Sequence, residues 1–239
     1  MHPYAQPRPS PLNLTATQEY FLEWNAHRLG ITYEESRARY QKSWSVVPGD
    51  AYQLHAPVHF LTMLTYPEPQ WFDDDFIVKH FRGRAYLGIL DFGCGLAQQS
   101  RTLAEYMTAK GVEVRLTLAD IPTVRKDFLL WWGTRTGISL TFLDCTADAP
   151  IPALPPSDLC FALEFFEHVH DPLAYFYEID RALSGGGLLI TNISDHHEDF
   201  MHVSPKLTTL RDAVRAQRYH DVLTNFIFSK PRQRQPATT

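Results

Sequence analysis

The sequence predicts an α/β fold, an open and mostly parallel doubly wound sheet preceded by a helical lid. From Tyr86 onward, short apolar runs alternate with helix-length segments that carry one apolar face. The first apolar run passes into the first helix through a glycine-bearing turn, Gly93-Cys94-Gly95. Successive apolar runs then end in a carboxylate.

Residues 1–14, MHPYAQPRPSPLNL, are proline-rich without a continuous apolar core, which reads as a flexible tail and not as a secretory signal. Residues 15–84 read as a helical N-terminal cap. Thr15 or Thr17 can cap a helix carrying Tyr20, Phe21 and Trp24, and Glu34–Trp44 is a second helix. A third follows Asp73-Asp74-Asp75, whose charges suit the positive end of a helix dipole. Pro48, Gly49, Pro57, Pro67 and Pro69 divide this region.

Residues 85–230 form the alternating region. Strands are expected at Tyr86–Phe92, Val112–Asp120, Ile138–Asp144, Asp158–Leu163 and Leu188–Ile193. Helices are expected at Ala97–Lys110, with Leu103 and Met107 inward, and at Pro122–Thr136, with Val124, Phe128 and Trp131 one turn apart. Asp171-Pro172 reads as an N-cap followed by proline in the first turn, with Phe176, Ile179 and Leu183 as the buried stripe, and Gly185-Gly186-Gly187 as the stop. Ser204-Pro205 looks like a second such start, ahead of Leu207, Leu210 and Val214. A last strand, Val222–Phe228, is expected to close the sheet partly antiparallel, and 231–239 read as a loose polar tail.

Composition narrows the partners. The 239 residues carry 27 acidic and 22 basic side chains, a net charge of −5, which argues against a general grip on nucleic acid or an anionic membrane. No apolar run is long enough to span a bilayer. Cys94, Cys145 and Cys160 show no close pair spacing, so no cysteine zinc cluster is expected and a reduced cytoplasmic setting is the simplest reading. Oligomeric state is not legible.

The chemistry concentrates in Ile89-Leu90-Asp91-Phe92-Gly93-Cys94-Gly95. In an open α/β sheet, ligands bind at the carboxyl ends of the strands, where glycines let backbone approach them. Asp91 would repel a pyrophosphate and suits a cationic ligand. Asp120 lies about 25 residues past the glycines, near the ribose-binding spacing of dinucleotide folds. Asp144 ends the third strand and Glu164 follows the fourth, so four strands bring a carboxylate to one sheet edge.

With these motifs, residues 86–230 resemble the Rossmann-like class I S-adenosylmethionine-dependent methyltransferases of the small-molecule group. The resemblance rests on Leu90–Gly95, Asp120, Asp144, the run Leu163–Pro172 and the run Ile179–Gly187. It implies methyl transfer from S-adenosylmethionine to a small-molecule oxygen or nitrogen by in-line displacement. It also implies that Gly93 and Gly95 lie against the methionine part of the cofactor and Asp91 near its amino group. Asp120 would hold the ribose, Ile121 the adenine face, Asp144 and Cys145 the adenine edge, and Glu164 would stand near the substrate channel. Many members have a third glycine where this chain has Ala97. A non-catalytic cofactor-fold binding protein and a protein or RNA methyltransferase are the alternatives. The acidic balance and the absence of an Asn-Pro-Pro-Tyr signature after strand four count against the latter.

His168, His170, His196, His197 and His202 crowd one span, with Asp195, Glu198 and Asp199 nearby. His168, His196, His197 and His202 are candidate bases for removing an acceptor proton, although the family pattern gives Glu167 and His168 a role in shaping the loop after strand four. Adjacent His196-His197 do not share a face of a regular element, so a polar pocket loop is preferred over a metal site.

Overall fold

The computed structural model describes residues 68–146, 150–197 and 202–232. The expected tail at 1–14, the first two cap helices and the tail from 233 lie outside the described residues. The chain divides into one unit comprising Gln70–Ile121 and Gly137–Thr239, and another that includes Pro122–Thr136.

The larger unit opens with a short helix α1 (Phe76–His80) directly after the acidic run. The acids bond outward from it. Asp75 accepts the Phe72 N–H, and Asp73 accepts the Tyr106 hydroxyl and pairs with Lys110. Strand β1 (Tyr86–Phe92) leads to helix α2 (Gln98–Ala109) and strand β2 (Glu113–Asp120). Strand β1 is buried from Leu87 onward because it lies between two neighbours, which is why it reads as a continuous apolar run rather than an alternating one. Helix α2 turns Ser100, Leu103, Ala104 and Met107 inward at helical spacing.

In the other unit, helix α3 spans Val124–Thr136, two residues inside its expected start at Pro122. Thr123 Oγ1 accepts the backbone N–H of Arg125 at 3.3 Å, an N-terminal side-chain bond of the usual kind.

The larger unit resumes with strand β3 (Ser139–Asp144), strand β4 (Ser157–Ala162), a 3-10 turn at Phe166–His168 and helix α4 (Pro172–Ala182). Asp171 caps α4 as expected, accepting the Ala174 N–H at 3.0 Å with proline next in sequence. Strand β5 (Leu183–Thr191), helix α5 (Thr208–Ala216) and the strands β6 (His220–Leu223) and β7 (Ile227–Ser229) complete it.

The sheet order is β3-β2-β1-β4-β5-β7-β6, parallel through β5, with β7 antiparallel to both β5 and β6. The order reverses between β1 and β4, the switch point at which open α/β sheets bind ligands. Phe176, Ile179 and Leu183 join Leu207, Leu210, Val214, Tyr219 and Phe228 in one buried cluster against the sheet. No helix among the described residues is long and apolar enough to cross a membrane.

Three expectations change. Gly185-Gly186-Gly187 does not stop α4. The helix ends at Ala182 and the glycines run inside β5, where a Cβ on Gly187 would stand 2.6 Å from the Asp158 carbonyl oxygen and 2.9 Å from that of Ser184. Glycine there permits close backbone approach. Ser204 does not cap a helix. Its hydroxyl donates to the Val169 carbonyl at 2.7 Å, and α5 begins at Thr208. The last strand is two strands joined by a turn, with Asn225 at φ 55°.

Gly187→Ala is expected to destabilise the protein by about 1–3 kcal/mol, since the new methyl meets rigid backbone oxygens. Urea unfolding measures it, and an unchanged midpoint would contradict the packing described.

Candidate functional site

Register brings the strand-end carboxylates together. Asp120 and Asp144 are paired neighbours at the ends of β2 and β3, Asp91 is one residue from the end of β1, and Glu164 lies two residues past β4. The bend after β1 is built from alternating left-handed residues: Gly93 at φ 69°, Gly95 at φ 54° and Ala97 at φ 52°. Ala97, in place of a third glycine, therefore occupies a conformation that costs an L-residue roughly 1–2 kcal/mol. The Gly93 N–H donates to the Ala119 carbonyl at 2.7 Å. The Gly95 N–H donates to Asp120 Oδ2 and the Ile121 N–H to Asp120 Oδ1, each at 2.7 Å. The Cys145 N–H in turn donates to the Asp120 carbonyl at 2.9 Å. One residue thus ties the bend after β1 to the ends of β2 and β3.

Asp91 is 6% exposed and accepts the Ser100 hydroxyl at 2.5 Å. Burial pushes its carboxyl up to about 7; the Ser100 hydrogen bond opposes the rise and the charge of Asp120 adds to it. Burial and the neighbouring charges of Asp120 and Asp144 push the half-buried Cys145 thiol up to about 12, so it stays an uncharged group at neutral pH. This corner of the sheet repels negative charge and stabilises a cation placed among the carboxylates.

The position a Cβ would take on Gly93 is 2.5 Å from the Phe165 ring. The missing side chain there makes room for Phe165, which packs on Phe92 at 4.8 Å and Tyr175 at 5.2 Å between ring centroids. Glu164, beside it, sits at φ 48°, a strained setting for a non-glycine residue, and its carboxylate accepts the Asn192 side-chain amide at 3.0 Å.

The loops after β4 and β5 meet around Glu167. Its side chain is fully buried, and neither carboxylate oxygen has a hydrogen-bond partner among the described residues. His168 Nε2 and His196 Nε2 both stand 3.8 Å from Glu167 Oε1. The His202 ring lies 5.1 Å from that of His168 and 5.2 Å from that of His196. Burial raises the Glu167 carboxyl above its ordinary range, against the pull of its own backbone N–H and of the two imidazoles. His197 is exposed and enters through its backbone, the carbonyl facing His202 Nδ1 at 2.8 Å.

Of the expected residues, the structure brings Asp91, Gly93, Gly95, Asp120, Ile121, Asp144 and Cys145 to one sheet edge, and gathers His168, His196 and His202 around Glu167. Glu164 stands between the groups, its carboxylate within reach of both Glu167 and His196. Glu198 and Asp199 lie outside the described residues. Sequence reasoning missed Ser100, Phe165, Tyr175 and Asn192. Ser100, one turn into α2 on its buried face, was the one with a readable signal, since a hydroxyl at a core position needs a partner.

Residues 90–191 match the family described as "Methyltransferase domain". The chain is 31% identical over 106 residues to a ubiquinone biosynthesis O-methyltransferase of Ruegeria sp. (strain TM1040), covering 44% of this chain and 40% of that protein. A protein of the same name from Cereibacter sphaeroides (strain ATCC 17029 / ATH 2.4.9) is 33% identical over 107 residues, with the same coverage. The chain thus spans less than half the length of these relatives. A solved class I S-adenosylmethionine-dependent methyltransferase structure from Listeria monocytogenes superposes with a TM-score of 0.53 at 16% identity, covering 92% of this chain and 90% of that one, a likeness of fold.

The raised Asp91 carboxyl has a stability signature. Between its ordinary 3.8 and about 7, the folded state keeps a proton that the unfolded chain gives up, so stability falls as pH rises through that window. Asp91→Asn removes this slope. Urea midpoints from pH 4 to 7 are expected to decline in the parent relative to the variant, and parallel curves would refute the buried-acid assignment.

Proposed function

We propose, from the match of residues 90–191 to a methyltransferase domain, that this chain is a class I S-adenosylmethionine-dependent enzyme that transfers a methyl group to a small-molecule acceptor, most simply an oxygen. The observation that carries the reading is the Asp91–Gly93–Gly95–Asp120–Asp144 edge, where a side-chain-poor bend and convergent carboxylates suit a cationic, ribose-bearing ligand.

The residues fit that donor. The Asp120 carboxylate, already anchored by the Gly95 and Ile121 amides, is the strand-end acid that would accept the ribose hydroxyls. Bonds of this kind to a charged group contribute roughly 1.5–3 kcal/mol. Asp91, under Ser100, supplies negative charge toward the donor's ammonium, with Gly93 and Gly95 beneath the methionine portion. Ile121 takes the adenine face, and Asp144 and Cys145 its edge.

When bound, the donor supplies an electrophilic methyl on a sulfonium. The chain's own task is to align an acceptor with that methyl and exclude water, and such alignment can lower a barrier by about 7–11 kcal/mol. Phe165 and Tyr175 form an apolar wall beside the bend. A hydroxyl acceptor must also lose its proton. His168, His196 and His202 are the groups placed to receive it, with Glu167 behind them and Glu164 alongside. His197, exposed and bonded through its carbonyl, is the weaker candidate.

A small-molecule acceptor fits the net charge of −5, which disfavours nucleic acid. A cytoplasmic setting fits three cysteines that are all free thiols.

Asp120→Ala is expected to weaken S-adenosylhomocysteine binding severalfold to about a hundredfold by calorimetry, from the hydrogen-bond magnitudes above. Gly95→Val is expected to abolish it, since valine is disfavoured at φ 54° and narrows the bend. Parent protein that takes up neither S-adenosylmethionine nor its demethylated product would sink the assignment.

A further inference from the structure

Asp91 is buried in a setting that suits a neutral carboxyl better than a charged one. Among the described residues, the titratable groups that reach it are the Asp120 carboxylate at the end of β2 and the Cys160 thiol of β4, with the Ser100 hydroxyl against it from α2. The one charge among these three is negative, and a carboxylate whose charged neighbour is another carboxylate is costly to bury. Ser100 is itself fully buried and stands between two acceptors, Asp91 Oδ2 at 2.5 Å and the Ala97 carbonyl at 3.3 Å. A hydroxyl has a single proton to give, so it serves one of them at a time.

We propose that Asp91 and Ser100 form a proton-exchange pair: the donor's ammonium displaces a proton from Asp91, and Ser100 turns its hydroxyl from the Ala97 carbonyl to the new carboxylate. In the empty site the Asp91 carboxyl keeps its proton and donates it to Ser100 Oγ, which leaves the Ser100 proton for Ala97. When the ammonium arrives, the Asp91 O–H bond breaks, its electron pair stays on the carboxylate and the proton passes to solvent. Ser100 then rotates and donates to the carboxylate. The 2.5 Å separation lies within range of a hydrogen bond in either direction. The ammonium keeps its own proton, since an α-amino group titrates at about 8. The inference rests on the methyl-transfer reading, which supplies the cation, and it makes Ser100 a positioning residue that acts on the donor through Asp91.

The surroundings tie the exchange to the glycine bend. The Ala97 carbonyl also accepts the Arg101 N–H at 2.7 Å, and the Ala97 N–H donates to the Cys94 carbonyl at 2.6 Å. The second acceptor of Ser100 is therefore the left-handed residue that joins the bend to α2. Burial lifts the Asp91 carboxyl to about 7, against the Ser100 bond and with the charge of Asp120, so the empty site is mostly neutral at pH 6 and mostly ionised at pH 8. Affinity for a ligand that needs the ionised form scales with the ionised fraction, which makes binding about tenfold tighter at pH 8 than at pH 6.

The test is S-adenosylhomocysteine calorimetry on the full-length chain in buffers of different ionisation enthalpy, with infrared difference spectra of the same complexes. S-adenosylhomocysteine carries the ammonium without the sulfonium charge, so a released proton reports on the ammonium alone. Expected are release of nearly one proton per ligand at pH 6, fading by pH 8.5, and loss of a protonated-carboxyl band on binding that Asp91→Asn does not show. The band separates a carboxyl from an imidazole as the source of the proton. Ser100→Ala, a small change to a good helix former, is expected to move the pH at which affinity levels off upward by about one unit, because the carboxylate loses its donor. A purely structural role would instead weaken binding equally at every pH. This variant also serves if Asp91→Asn fails to fold. Ligand uptake without proton release at pH 6, an unchanged carboxyl band, or a Ser100→Ala profile that keeps the parent's shape overturns the exchange and leaves the methyl-transfer reading standing. No uptake at any pH sinks both.

Discussion

The grip of Asp120 on the bend after β1 is the interaction on which the candidate site depends. Its two carboxylate oxygens take the amides of Gly95 and Ile121, and its carbonyl takes that of Cys145. The end of β2 thereby sets where the glycine bend sits, where α2 begins and where the chain leaves β3. A charge-assisted bond of this kind is stronger than a neutral one. It also places a negative group beside Asp91, which raises the latter's proton affinity. The same contact shapes the backbone and sets the local field.

The site consequently divides into two chemical zones on neighbouring strand ends. At the ends of β1, β2 and β3, carboxylates crowd together, and an incoming cation relieves their repulsion. Past β4 and β5, a buried carboxylate is ringed by imidazoles. Phe165 and Glu164 lie at the boundary. Phe165 fills the space opened by Gly93, and Glu164 is held at a strained φ by the geometry of its loop. Strain retained at this boundary accords with pre-organisation of the loop that carries it.

Much of the fold was legible because its signals are local. A strand buried on both faces is a short apolar run, and a helix covering it has a stripe at helical spacing, so β1 through β4 and helices α2 and α4 fall within a residue or two of expectation. The errors came where one residue type serves two purposes. A glycine triplet resembles a helix stop, yet Gly187 is required by a carbonyl from β4, a strand far away in sequence. Ser204-Pro205 resembles a helix start, yet the hydroxyl is spent on Val169. Nothing near either segment in sequence reveals those partners.

By itself the sequence determined the order of strands and helices, the glycine bend and the carboxylates that end successive strands. Periodicity and strand termini are properties of a few adjacent residues, and parallel pairing then carries those termini to one edge. Only the tertiary structure decided which histidines meet. His196-His197 looked unpromising as neighbours in sequence, but folding turns His196 inward to Glu167 and leaves His197 exposed, while His168 arrives from the loop after β4 and His202 from further along the chain. Such a cluster is assembled by loops whose paths follow from packing across the sheet, and no repeat within either loop records the meeting.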